Sequence, residues 1–392
     1  MSDNPVFASC GREEPVTSFP TPMIFPDYEL GRYQLQSAAA TRYIMGASAP
    51  EPLELRELLA LATEDELKQW RDFPLNYSPN QGDVSLRERI CAAYRGLGTE
   101  NILVTAGAQE AIFIAYHALL AAGDRVQVIT PAFEPLVIVP QAIGADVERV
   151  PMQLGKDAWR FDLGQWFERL TDDTRVATVN FPHNPTGQTV SKADFAEIVA
   201  ACSRQGCWLL SDEVFRGMEH DPAVRLPGAV SEYERGISLG VISKPFGLGG
   251  VRVGWIACRD TKLLQRMLQI KLFLSVCNGR ADELLAGIAL NHREELLQAH
   301  RQRIAANLTL IRNNLDRLSP RIQWYAPRAG CIAYPGLTGQ MSALEFARRL
   351  LNETGVNIVP GSCFLQGPSH FRIGFGRDDF SRAFQFLLDW LD

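Results

Sequence analysis

From residue 101 onward, short apolar runs alternate with longer amphipathic stretches. ILVT (102–105) leads into AGAQEAIFIAYHALLAA, RVQVIT (125–130) into PAFEPLVIVPQAI, and RVATVNFP (175–182) into a loop and SKADFAEIVAACSRQ. CWLLSDEV (207–214) and ISLGVIS (237–243) continue the series, and 253–257 is a further β-rich run. Brief apolar runs bounded by turn residues predict buried strands, and the stretches between them predict helices. Strand, loop and helix repeated in this way predict an α/β protein with a largely parallel central sheet covered on both faces.

The flanks follow other rhythms. Leu55, Leu58, Leu59, Ala62 and Leu67 predict one helix over about 53–70. The turn-rich NYSPNQG then leads into a helix capped by Asp83 or Ser85. Residues 261–318 read as helical, and IQWYA, CIAYP, FRIGFG and the closing helix DDFSRAFQFLLDWL read as a smaller α+β domain. The expected division is an N-terminal arm over 1–50, a large domain over 51–285 and a small domain over 286–392. The arm is expected to contribute to the small domain and the active-site entrance.

Composition narrows the function classes. A chain of 392 residues, 46% hydrophobic and 21% charged, can bury an ample core. Its net charge of −6 gives no reason to expect nucleic acid or an anionic membrane as partner. No apolar stretch reaches membrane-spanning length, and 1–22 lacks the charged start and apolar run of a signal peptide, so a cytoplasmic protein is expected. The eight cysteines form no CxxC pair and read as reduced thiols. The six histidines are scattered without an HExxH, so no metal site is expected.

The distinctive polar residues cluster at strand ends, where ligands of such sheets bind. Lys244 leaves the apolar run 237–242 and is followed by Gly247, Gly249, Gly250 and Arg252. A lysine emerging from a buried strand end is poorly solvated, which favours a neutral, nucleophilic amine. Gly107-Ala108-Gln109 follows ILVT and opens a helix, a setting suited to a phosphate or to an ordinary strand-to-helix turn. Phe133 can lie flat on a planar ring or belong to the core. Asn184 in NFPHNPTG stands in a turn-forming run, with His183 as its neighbour. Asp212 ends a strand and can serve as a cap.

Lys244 and Arg252 separated by glycines after such a strand, with NPTG upstream, resemble the pyridoxal-phosphate site of class I/II aminotransferases. Taken together and in family order over about 75–376, these motifs identify the chain as a member of that family. The resemblance implies a fold-type-I architecture and pyridoxal 5'-phosphate as cofactor, held by a Schiff base to Lys244. It further implies that Asp212 pairs with the pyridine nitrogen and that Asn184 donates to the ring oxygen. Arg252 would hold the phosphate with help from Ser243 and the Gly107-Ala108-Gln109 turn, and Phe133 would stack on the ring. Arg372 in FRIGFG would grip the substrate α-carboxylate beside Asn184, a task suited to a guanidinium fork. Tyr77 would reach the phosphate of a neighbouring subunit, which implies a homodimer.

Three positions depart from the family pattern. Phe215 stands where most relatives carry a tyrosine that donates to the ring oxygen. Val241 replaces a phosphate-binding Ser or Thr, and Pro245 follows the lysine where a small residue is commoner. The reaction implied is transfer of an amino group between an L-amino acid and a 2-oxo acid. Phe215-Arg216 is also similar to a branch containing capreomycidine synthase and pyridoxal-dependent arginine oxidases, which implies elimination, cyclisation or oxidation of an arginine-like amino acid as the alternative. A catalytically inactive binding module is the third reading. For the substrate side chain, Arg32, Arg42, Arg216 and Arg280 could meet an acid, and Asp27 and Glu29 a base.

Overall fold

Seven strands form the central sheet: β1 (Ile102–Thr105), β2 (Arg125–Thr130), β3 (Asp146–Pro151), β4 (Thr174–Asn180), β5 (Trp208–Asp212), β6 (Gly236–Val241) and β7 (Gly254–Cys258). Their spatial order is β1-β7-β6-β5-β4-β2-β3, with β7 antiparallel to both neighbours and every other pairing parallel. The computed structural model describes residues 26–392, so the readings placed on 1–22, Cys10 and Phe25 lie outside it.

Each strand feeds two cores, as a side-chain period of two requires. Ile102 and Val104 join one apolar cluster, while Leu103 joins the other. The Leu103 face is covered by the helices Ala108–Leu119, Pro135–Ile143 and Thr261–Leu274, through residues such as Ile112, Val137 and Met267. The opposite face meets the helices Lys192–Gln205 and Arg280–Asn291 through Phe195, Ile198 and Ala286.

The structure corrects three expectations. The helix expected over 53–70 is two helices, Leu55–Ala60 and Glu64–Asp72. Thr63 stops the first and starts the second: its hydroxyl accepts from Glu66 N while the Glu66 carboxylate accepts from Thr63 N, a capping box. The helical stretch 261–318 is broken at 275–279, where Val276 has φ 62°, and again after Asn291 and Arg312. Strand β3 escaped the sequence reading because it lies at the sheet edge with charged Asp146, Glu148 and Arg149, so it carries no apolar run. Of the two cap candidates, Asp83 is the cap, accepting from Ser85 N at 3.0 Å.

The C-terminal part holds a three-stranded antiparallel sheet of Ile332–Ala333, Phe371–Gly374 and Val359–Pro360. The helices Ala343–Thr354 and Phe380–Leu391 pack here, with Phe346 stacked on Phe371 and edge-on to Trp390. The N-terminal segment is a strap across this part. Tyr43–Ile44 pairs in parallel with Val356–Asn357, Met45 O accepts from Gly374 N, and Glu51 N donates to Gly376 O at 2.9 Å. The helix Glu29–Ser37 is tied to the large sheet instead: the buried Glu134 carboxylate accepts from Glu29 N at 3.1 Å and Leu30 N at 2.7 Å. No helix among the described residues is long and apolar enough to cross a membrane.

Candidate active site

Strand β7 gathers the site. It lies between β1 and β6, with Gly254 opposite Thr105 on one side and Val241 on the other. Because β7 is antiparallel, its start meets the ends of both neighbours. Arg252 therefore falls beside Gly107 and within one loop of Ser243 and Lys244. Arg252 Nη2 donates to Ala106 O and Nη1 to Gly249 O, both at 3.1 Å. Gly107 has φ 92°, and a Cβ there would sit 2.5 Å from Arg252 Nη2, so only glycine lets the guanidinium this close. Arg252 itself is left-handed at φ 52°, a strained state for a side-chain-bearing residue that clusters at functional sites. The helix Ala108–Leu119 begins with no side-chain cap, leaving first-turn amides open to an anion.

Strands β4 and β5 end side by side, with Asn180 opposite Asp212. Asn180 Nδ2 donates to Asp212 O at 2.9 Å, and its Oδ1 accepts from Asn184 N at 2.8 Å, so one side chain braces both loops. Asp212 is 2% exposed. Its Oδ1 accepts from Val214 N at 3.1 Å, and Oδ2 has no hydrogen-bond partner among the described residues. Burial pushes its pKa up to about 7, opposed by the Val214 amide and the Lys244 charge.

Lys244 Nζ donates to Ser48 Oγ at 2.7 Å. Burial, reinforced by the Arg372 charge, brings the amine down to about 8, while Asp212 acts in the opposite direction. Arg372 is 2% exposed; Nη1 donates to Asn184 Oδ1 at 3.0 Å and Nη2 to Gly46 O at 2.8 Å. Its guanidinium lies 4.9 Å over the Phe364 ring, and its buried Nε has no partner among the described residues. Desolvation lowers its pKa to about 10, so it stays charged at neutral pH.

These groups border one cleft of about 220 Å³. Lys244, Ser243, Arg252, Asp212 and Phe215 line it, and so do Ala108, Gln109, Phe133, Asn184 and Arg372. Gly107 lies just behind, under Arg252. Tyr77 does not line the cleft and is 89% exposed. His183 stays out of it too: buried, its Nδ1 pairs with Thr186 Oγ1 at 2.8 Å, and burial lowers its pKa to about 3, so it is a neutral brace for the loop. None of Asp27, Glu29, Arg32, Arg42, Arg216 and Arg280 lines the cleft. Asp27 and Arg32 pair with each other at 2.9 Å, and Arg280 pairs with Asp83. With Val214 and Val241, the lining also includes four residues that sequence reasoning missed, Tyr28, Leu30, Gln34 and Ser48. They reach it only because Glu134 and the strap bring the N-terminal segment back, and no local motif announces that.

The family model for aminotransferase class I and II matches residues 63–380. Capreomycidine synthase of Streptomyces vinaceus is 31% identical over 362 residues, covering 89% of this chain and 86% of that protein. A pyridoxal-phosphate-dependent aminotransferase from Streptococcus suis superposes with a TM-score of 0.86 at 26% identity, covering 94% of this chain and 98% of the other. The pyridoxal-phosphate-dependent cyclase OrfR superposes equally well, with a TM-score of 0.86 at 26% identity and 95% and 99% coverage. The chain belongs to the class I and II aminotransferase family and is a fold-type-I, pyridoxal-phosphate-dependent enzyme. Its residues fit that cofactor: uncapped helix amides and Arg252 for a phosphate, a free Asp212 oxygen for a pyridinium, and a lysine amine for the aldehyde.

Proposed function

We propose that the enzyme moves an amino group between an L-amino acid and a 2-oxo acid. The observation that carries this reading is one cleft bordered by the Lys244 amine, the Asp212 carboxylate and the Arg372 guanidinium. When bound, pyridoxal phosphate supplies an aldehyde for amine attachment and a pyridinium that delocalises negative charge from Cα. Lys244 Nζ is the attachment point. With a pKa near 8, the released amine is neutral in a useful fraction at neutral pH, so it can take the substrate Cα proton and return it. Asp212 Oδ2 keeps a proton on the ring nitrogen. Asn184 Nδ2, which has no partner among the described residues, donates to the ring oxygen while Oδ1 holds Arg372. Arg372 orients the α-carboxylate, and Phe133 and Phe215 are the apolar walls for the ring. Ser243 and Arg252 hold the phosphate together with the amides after Gly107.

Incubation of the holoenzyme with single L-amino acids and a 2-oxo acid, with products read by mass, tests this. A new amino acid and its partner 2-oxo acid are expected. Release of ammonia or a cyclised product without amino transfer would replace it by a second reading, elimination or cyclisation of an arginine-like amino acid. That reading is favoured by the 31% identity to capreomycidine synthase and by Phe215 in place of a ring-oxygen donor.

A homodimer with shared sites is part of the proposal. Tyr77 and Leu75 on a loop and Phe273 at the end of the helix Thr261–Leu274 are exposed apolar side chains, and Asn80 Nδ2 ties the two segments by donating to Val276 O at 3.2 Å. Such a patch fits a subunit interface, with Tyr77 passing to the other cleft. A cytoplasmic location is supported by the seven described cysteines, all free, including Cys202 and Cys207, whose thiols interact. The division into an arm (1–50), a large domain (51–285) and a small domain (286–392) is proposed on the separation of the seven-stranded sheet from the three-stranded one, although the second boundary falls inside the helix Arg280–Asn291, whose Ala286 packs on the large sheet.

A further inference from the structure

A second cavity, of about 260 Å³, lies behind the active-site cleft. Val214 and Val241 line both and form the partition between them. Chain alternation sorts the neighbours: Asp212 and Lys244 face the cleft, whereas Glu213 and Pro245 line the rear cavity.

Three arginines converge there, and most of their donors are idle. Arg216 uses only Nη1, to Leu226 O at 2.9 Å and Glu213 Oε2 at 3.4 Å, with its guanidinium carbon 5.8 Å from the centre of the Tyr94 ring. Arg225 uses only Nε, to Glu219 Oε2 at 3.0 Å. Arg293 makes no hydrogen bond or ion pair among the described residues, although it is partly buried. Glu213, the carboxylate lining this cavity, is already engaged: its Oε1 accepts from Ser238 Oγ at 2.6 Å and Ala229 N at 2.8 Å. Two carboxylates are paired with these guanidinium groups, Glu213 with Arg216 and Glu219 with Arg225, which leaves Arg293 as the unpaired cation in a net positive, donor-rich wall. An uncompensated cation in a confined space raises the local concentration of anions. Guanidinium forks match carboxylate and phosphate oxygens.

We propose that this cavity is an anion-binding site separate from the catalytic cleft, taking a small organic oxyanion, a carboxylate or phosphate ester of amino-acid size. The apolar remainder of the wall, Phe246, Trp255, Leu290 and Leu297, accommodates a carbon skeleton rather than a bare ion. The occupant would touch Val214 and Val241 from behind, two residues from Asp212 and three from Lys244. The site stands on its own geometry, whatever reaction the cleft performs.

The test uses holoenzyme saturated with pyridoxal phosphate, so that the cofactor's phosphate site is filled. Calorimetric titration with succinate and with inorganic phosphate is run on wild type, Arg293→Gln and Arg372→Leu. At least one probe is expected to bind wild type and Arg372→Leu saturably, and Arg293→Gln at least tenfold more weakly. Succinate alone indicates a carboxylate ligand, phosphate alone a phosphate ester. Affinity unchanged by Arg293→Gln, or lost only with Arg372→Leu, overturns the proposal. A tungstate soak of wild-type holoenzyme crystals checks it without any variant: an anomalous peak between Arg216, Arg225 and Arg293 is expected, and its absence overturns the assignment.

Discussion

Arg372 Nη1 and Asn184 Oδ1 are joined by a buried hydrogen bond of 3.0 Å, spanning 188 positions in the chain. The group proposed to hold the substrate carboxylate is thus fixed by the group proposed to hold the cofactor ring. Arg372→Leu should lower kcat/KM for the best amino acid by roughly 2–5 kcal/mol while cofactor affinity changes little. Asn184→Ala should weaken both, since it leaves a buried arginine donor unsatisfied at about 1–3 kcal/mol. Steady-state kinetics and cofactor titration separate the two patterns. An Arg372→Leu enzyme with unaltered kcat/KM rules out the carboxylate role.

Lys244→Ala should bind pyridoxal phosphate without a covalent link, and borohydride reduction of wild type should leave the adduct on the Lys244 peptide. The nucleophile is the neutral amine, and burial lowers the pKa to about 8. Attachment to the apoenzyme should therefore quicken as pH rises to about 8 and level off above. Stopped-flow absorbance across pH checks this, and a midpoint near the ordinary lysine value contradicts the desolvated setting.

Asp212 carries a pKa raised to about 7 in the folded apoenzyme, against an ordinary value near 4. Between these values the folded state holds a proton that the unfolded chain has lost, so this group's contribution to stability declines as pH rises from about 4 to 7. Denaturation of apo wild type and Asp212→Asn across that range should show wild type losing ground relative to the variant. Parallel stability curves would mean that Asp212 is already ionised when folded.

Phe215 lines the cleft and is 1% exposed. If it lies over the ring oxygen, Phe215→Tyr adds a second donor beside Asn184. A net hydrogen bond of about 0.5–1.5 kcal/mol corresponds to at most about one pKa unit. The spectroscopic pKa of the bound cofactor should fall by that order in a pH titration, and a folded variant with an unmoved or raised value places Phe215 elsewhere on the ring.

Phe273→Asp should turn the proposed dimer into a monomer and reduce cofactor affinity, because Tyr77 then has no second cleft to enter. Sedimentation velocity reads the first effect. A wild-type monomer with full activity removes the shared-site proposal.

The central sheet was legible because buried strands announce themselves as apolar runs, and because Lys244, Asp212 and Asn184 sit where those runs end. Edge strand β3 was hidden by its charged alternate positions. The break at Thr63 was written locally as Thr-x-x-Glu but overridden by the apolar spacing around it. Ser48 was illegible for a different reason. Its hydroxyl matters only through contact with Lys244, 196 positions away, and a serine among alanines has no local pattern. Of the rear arginines the sequence drew attention only to Arg216, and for the wrong cavity, since convergence of residues 216, 225 and 293 is a property of the packed fold.

The strap over 43–51 touches the site at successive points: Gly46 O receives Arg372 and Ser48 Oγ receives Lys244. Its own backbone partners, Val356, Asn357, Gly374 and Gly376, all follow the central sheet in chain order. All seven strands of the central sheet, with Gly107, Asp212, Lys244 and Arg252, have been synthesised by residue 258. A nascent chain can therefore assemble the proposed phosphate and ring contacts while the strap still waits for a place to dock. On the proposed roles, competence toward substrate waits until residues 356–376 have emerged for the strap to dock on, so the order of translation separates holding the cofactor from using it.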